Sequence, residues 1–164
     1  MNSMKLINYR GGIARFHLPA SWIEEYEESG GATFYEDKPG SGTLRINVLE
    51  VEKPSEGAPT SKTAYDLISE ISEKNLVRPL PEGAAIAHST ERTSEGDKEL
   101  LLHTWHVGTG VTAVHFRIII FTYTILAAQE SDPKVRDEIA MLDESISQGE
   151  YSAMRGIAGN YKQS

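Results

Sequence analysis

Val111-Thr-Ala-Val-His-Phe-Arg-Ile-Ile-Ile-Phe-Thr-Tyr-Thr-Ile-Leu-Ala-Ala128 decides the fold. The run is rich in β-branched and aromatic residues and holds no Gly or Pro, the composition of a long strand. Side chains alternate sides along a strand. One face takes Val114, Phe116, Ile118, Ile120, Thr122, Thr124 and Leu126. The other opens polar with His115 and Arg117, then turns apolar through Ile119, Phe121, Tyr123, Ile125 and Ala127. A strand apolar on both faces belongs inside a sheet covered on both sides. Ile118, Ile120 and Phe121 are therefore expected to be buried.

Outward from this strand, Ser131 or Asp132 is placed to cap a helix, with Pro133 at its favoured first position. Val135, Ile139, Leu142 and Ile146 form the inward stripe of that helix, and Gly149 sits where it would end. On the N-terminal side, Gly108-Thr109-Gly110 reads as a turn from a strand over Glu99 to Val107. A weaker strand signal covers Ala84 to Arg92, with a turn at Ser94 to Asp97 between the two. Before these, Thr60 or Ser61 is expected to cap a helix. Its stripe is Ala64, Leu67, Ile68 and Ile71, while Glu70, Glu73 and Lys74 face water. Pro79 and Pro81 bar its continuation. Lys53 to Pro59 is loop.

The first third reads as strands over Ile13 to Leu18, Ala32 to Tyr35 and Thr43 to Glu52. The last two form a hairpin across the turn-rich Glu36 to Gly42, and Ile23 to Ser29 is a short acidic segment. Beyond Tyr151, which docks, the chain is polar. Strands, helix, strands, helix, joined by short turns, predict an α+β fold. The expected architecture is a mainly antiparallel sheet flanked by helices on both faces, one domain over residues 1–151 with a loose tail at 152–164.

The chain of 164 residues can bury a core without staples, and it has no Cys, which excludes disulfides, thiolate metal sites and Cys nucleophiles. Its 16 basic and 24 acidic residues give a net charge of -8. Such a surface repels phosphate backbones and anionic lipids, so neither nucleic acid nor membrane is an expected partner. Met1 to Arg10 lacks the apolar run of a signal peptide, and Ile118 to Ala128 is about half the length of a membrane helix. A cytoplasmic address is expected.

Phe16-His-Leu-Pro-Ala-Ser-Trp22, a strand followed by Leu-Pro and a Trp, resembles the opening of the PsbP-like domains. Arg117 to Ala128 and the capped helix with Ile139, Leu142 and Ile146 resemble their final strand and helix. By order of elements the resemblance spans most of residues 10–151. It implies the α/β/α sandwich of that group, which includes a Ran-binding nucleotide-release factor, a photosystem subunit and bacterial families of unknown function. It also implies a non-enzymatic binder, adaptor or chaperone, some bacterial members shielding apolar segments of secreted toxins. It supplies no catalytic residues, and fold alone does not set function.

Several groups could carry chemistry. His103, His106 and His115 cluster near the last hairpin. With a turn at Gly108 to Gly110, Val107 faces Val111 and His103 lies opposite His115, with Arg117 on the same face. Two imidazoles so placed could ligate a metal or share a proton. No carboxylate is near in sequence and Arg117 repels a cation, so structural or solvent-facing histidines are the better reading. Trp22 is expected in the core. Trp105 is also read as core, though its alternation with His103 and Val107 allows partial exposure. Glu24, Glu25, Glu27 and Glu28 around Tyr26 read as a solvated face, since burying like charges is costly. No phosphate loop and no nucleophile elbow is present.

The resulting expectation is a non-enzymatic protein-binding or adaptor domain, with no cofactor and no metal. Its contact surface is expected at His103, Trp105, His115 and Arg117, because Arg and Trp most often anchor interfaces. The alternatives are a chaperone-like module for an apolar segment of a secreted effector, and a small-ligand binder or enzyme around His103, His115 and Arg117. The oligomeric state stays open, a dimer included.

Overall fold

The structure, a computed structural model, describes residues 3–52, 63–72, 76–112 and 115–151. The long apolar run forms the central strand β9 (His115–Leu126). The other strands, in chain order, are β1 (Met4–Tyr9), β2 (Ala14–Pro19), β3 (Ile23–Tyr26), β4 (Ala32–Tyr35), β5 (Thr43–Glu52), β6 (Val77–Pro79), β7 (Ala85–Glu95) and β8 (Lys98–Gly110). The helices are α1 (Ala64–Ile71) and α2 (Pro133–Ser147). β9 runs antiparallel to β5 on one side and to β8 on the other, in a seven-stranded sheet of order β3-β4-β5-β9-β8-β7-β6. The short edge strand β6 ends in Pro79, a residue that sheets tolerate at edges.

Alternation along β9 separates two cores. On one face Ile119, Phe121, Tyr123 and Ile125 join Leu44 and Ile46 of β5 and Trp105 and Val107 of β8, beneath Val135, Leu142 and Ile146 of α2. The same layer receives Ile7, Tyr9, Phe16 and Leu18 from a separate β1–β2 hairpin, with Phe16 edge-on to both Phe34 and Phe121. On the opposite face Phe116 and Ile118 pack with Ala85, Ala87 and the α1 residues Leu67 and Ile68. The two helices thus cover opposite faces of one antiparallel sheet, as the sequence predicts.

Local chemistry explains the helix starts. Asp132 caps α2 by accepting from the Lys134 amide, and Pro133 follows it. Thr63 caps α1, and Asp66 reciprocates toward the Thr63 amide. The expected caps Thr60 and Ser61 lie outside the described residues, as do Lys53 to Pro59, Glu73, Lys74, Val114 and 152–164. Tyr151 is buried, its hydroxyl donating to the Ile146 carbonyl at 2.6 Å.

Several expectations change. The sequence reading has no element over Met4 to Tyr9, where Ile7 and Tyr9 alternate inward to make β1. The acidic segment begins as the edge strand β3, whose charges keep that edge soluble. Ile71 is 47% exposed although it extends the helical stripe, because α1 ends there. Ile120 is only half-buried. The expected turn at Gly108 to Gly110 is strand, paired as far as Gly110 with Phe116. Gly108 serves close approach: a Cβ there would lie 2.8 Å from Ile68 Cγ1 of α1.

Candidate functional site

Extending β8 to Gly110 resets the register of the last hairpin. His103 pairs with Tyr123, while His115 pairs with Glu52 of β5. The expected His103–His115 pair therefore does not form. The two residues lie eight positions apart along β9, about 26 Å at strand rise. Parity survives the change, so His103, Trp105, His115 and Arg117 do share the α2 face, at different heights.

At the β5 end, Glu50 sits between His115 and Arg117. Arg117 Nε donates to Glu50 Oε2 at 2.9 Å, and His115 Nε2 lies 2.6 Å from Oε1. Partial burial pushes the Glu50 carboxyl up, but the Arg117 and His115 contacts outweigh it and its pKa falls below the usual value. Arg117 is 3% exposed, which removes it as a surface anchor. Trp105 is 0% exposed, in the core as read, without the partial exposure that its alternation allowed, and its Nε1 donates to Asp143 Oδ1 of α2 at 2.9 Å. The proposed contact surface thus loses both of its anchor residues to the interior. Trp22 is core as expected, stacked on Tyr123, whose hydroxyl donates to Glu138. Glu24 to Glu28 are exposed, also as expected.

The other end of β8 assembles a group the sequence reading did not. His88 of β7 lies flat on Trp105, centroids 4.6 Å apart and planes 6° from parallel. Its Nε2 is 2.9 Å from His103 Nδ1. Both imidazoles are half-buried, and burial lowers both pKa values; for His88 Asp143 opposes and Arg78 reinforces the shift, and for His103 the neighbouring His88 reinforces it while Glu130 opposes. Asp143 Oδ1 also accepts from Arg78 Nη2 at 3.0 Å, and Glu130 is held by Arg92. Above the imidazoles and below α2 is a cleft of about 450 Å³, whose walls include Leu101, Arg136 and Ile139. His88 was legible only as one residue of a weak strand. Its alternation with Ile86 and Thr90 was the available signal, but without a register nothing tied it to His103. His106, the third histidine of the expected cluster, points to the opposite face with Nδ1 buried and unpartnered among the described residues.

That opposite face is only partly covered. α1 packs against the sheet near Ala85, Ala87, Gly108 and Ile118. Ile120 packs at the margin of that cluster; beyond it, Leu102, Thr104, Thr122 and Thr124 are half-buried, and Leu49 and Leu126 are 51% and 40% exposed. Among the described residues no element covers this stretch of the central strands.

An antiparallel sheet with a helix and a β-hairpin on one face and a short helix on the other defines an α+β sandwich of the PsbP-like fold group. Solved structures agree. The chain superposes on a Bacteroides thetaiotaomicron protein with TM-score 0.57 and 19% identity, over 93% of this chain and 49% of that one. It thus spans about half the length of that protein. The Mycobacterium tuberculosis protein LpqN, described as involved in cell envelope biogenesis, gives TM-score 0.53 and 11% identity over 90% of this chain and 83% of its own. The Saccharomyces cerevisiae Ran-binding protein Mog1p gives TM-score 0.51 and 9% identity over 92% of this chain and 96% of its own. At these identities the likeness is one of fold. No family model and no curated protein matches the chain by sequence.

Proposed function

We propose that this chain is a non-enzymatic protein-binding module that receives its partner on the open part of the sheet, beside α1. The observation that carries this reading is the half-buried surface of Leu102, Thr104, Thr122 and Thr124, bordered by Ile120 at the margin of the α1 cluster and flanked by exposed Leu49 and Leu126. Central strands usually carry cover on both faces, and an uncovered face with apolar and Thr side chains is the kind of surface that marks interaction sites. Threonine methyls and hydroxyls let such a surface stay in water alone and still pack against a partner. The net charge of -8 argues against nucleic acid as that partner. Among the described residues no helix is long and apolar enough to cross a membrane. The Ran-binding neighbour in the fold group is a precedent for protein recognition on this architecture.

The reading replaces the His103, Trp105, His115 and Arg117 surface with the other side of the same hairpin. The test is cross-linking from position 122 in the source cell, followed by mass spectrometry and recovery with purified partner. Thr122→Arg is expected to abolish recovery while leaving the circular dichroism and the thermal midpoint unchanged, because the side chain already borders solvent. Full recovery by a folded Thr122→Arg protein would move the interface off this face.

A further inference from the structure

We propose that the cleft between β7, β8 and α2 binds a small carboxylate-bearing molecule, at a site separate from the open sheet face. The first argument is charge. In a chain of net charge -8, Arg136 lines this cleft, and Arg78 and Arg92 pair with its two wall carboxylates, Asp143 and Glu130. Asp143 is already engaged by Arg78 and by the Trp105 indole, and Glu130 by Arg92. Arg136 lines the cleft and makes no ion pair among the described residues. One guanidinium is therefore left over, and its planar fork suits a carboxylate.

The second argument is the imidazole pair. Two neutral imidazoles carry two N–H donors and two bare nitrogens between them. The His88 Nε2 to His103 Nδ1 hydrogen bond uses one of each. Whichever tautomers are present, the outer nitrogens, His88 Nδ1 and His103 Nε2, are left with one donor and one acceptor. Neither has a partner among the described residues. The pair thus always keeps one N–H without a protein partner on one of two residues that line the cleft, and a carboxylate oxygen can accept it alongside Arg136. A metal ion is the weaker occupant: the facing nitrogens are committed to each other, and no group of three ligands occurs among the described residues.

The third argument is shape. Leu101, Ile139 and Ala140 give the cleft an apolar wall, and the His88 ring lies nearly parallel to the Trp105 ring beneath it, with His103 tilted by 27°. A volume of about 450 Å³ is in the range of small-ligand sites. A flat ring bearing one carboxylate fills both the polar and the apolar part.

Benzoate is the probe, followed by nuclear magnetic resonance of the His88 and His103 rings and the Trp105 indole N–H. Saturable shifts of all three are expected, with benzamide and inorganic phosphate binding at least about tenfold more weakly. Benzamide lacks the charge, and inorganic phosphate lacks the ring that fills the apolar wall of Leu101, Ile139 and Ala140. Arg136→Gln, an exposed position, is expected to fold normally and to weaken benzoate by about tenfold or more. Absence of saturable shifts would overturn the proposal. So would benzamide binding as tightly as benzoate, or benzoate affinity unchanged in Arg136→Gln.

Discussion

On the α2 side of β9, Ile119, Phe121, Tyr123 and Ile125 are at most 3% exposed. One residue away in each case, on the α1 side, Ile120, Thr122 and Thr124 are half-buried and Leu126 is 40% exposed. The difference lies in the covering elements. A helix of 15 residues and a β-hairpin seal one face, and a helix of 8 residues covers one end of the other. An apolar alternation tells which residues share a face. It does not tell how much cover the rest of the chain can bring to that face.

The comparison predicts unequal costs for truncation on the two sides. Phe121→Ala removes a fully buried ring that meets Phe16 and Tyr151 edge-on, and should destabilise by about 3–5 kcal/mol. Ile120→Ala, on the neighbouring half-buried position, should cost about 1–2 kcal/mol, below the range for a fully buried Ile. Urea unfolding of both variants measures the difference. Equal losses would mean that the α1 side is sealed as tightly as the other, which would remove the binding face.

The smallest expected effect is one of pH, and it reaches both faces. Burial lowers the pKa of His88 and His103 on the α2 side and of His106 on the α1 side. As pH falls below about 6.5 the unfolded chain takes up protons before the folded one. Stability contributed by these groups is complete above that pH and declines until the folded histidines protonate as well. The urea midpoint should therefore be lower at about pH 5.5 than at about pH 7.5. The carboxylates with lowered pKa, Glu24, Glu36 and Glu50, act in a more acidic range. The double substitution His88→Asn, His103→Asn should flatten the slope, and an unchanged slope would assign it to His106 or elsewhere.

Much of the fold was legible. β5 matches its sequence reading at both ends, and α2 has its predicted cap, its first-turn Pro and a stripe of which only Ile139 is half-exposed. β1, β3 and β6 were missed, β3 having been read as an acidic segment. β1 is amphipathic with Leu6 and Met4 exposed, so its alternation is not clean, and β6 is a three-residue edge strand ending in Pro79. The site was less legible. His103 was singled out, but its partner was taken to be His115 because two glycines looked like a turn. Those glycines sit in a strand, and Gly108 is there to let Ile68 approach the backbone.

By itself the sequence determined which side chains share a face. Side-chain direction in a strand has period two, and that local rule put His103 with Trp105 on one side of β8 and His115 with Arg117 on one side of β9; the two pairs share a face in every register that differs from the observed one by an even number of residues. It also determined the start of α2, since the Asp132 cap is a short-range hydrogen bond, whereas α1 starts at Thr63, two residues past the expected Ser61. Tertiary structure alone decided the register of β8 on β9 and the meeting of His88 with His103. It also decided which residues of the α1 face are left half-buried or exposed among the described residues. Sliding one strand by an even number of residues preserves every inward and outward choice, so the alternation cannot fix the slide. It is fixed by the fit of α1 over Gly108 and of α2 over Trp105, contacts between segments far apart in the chain.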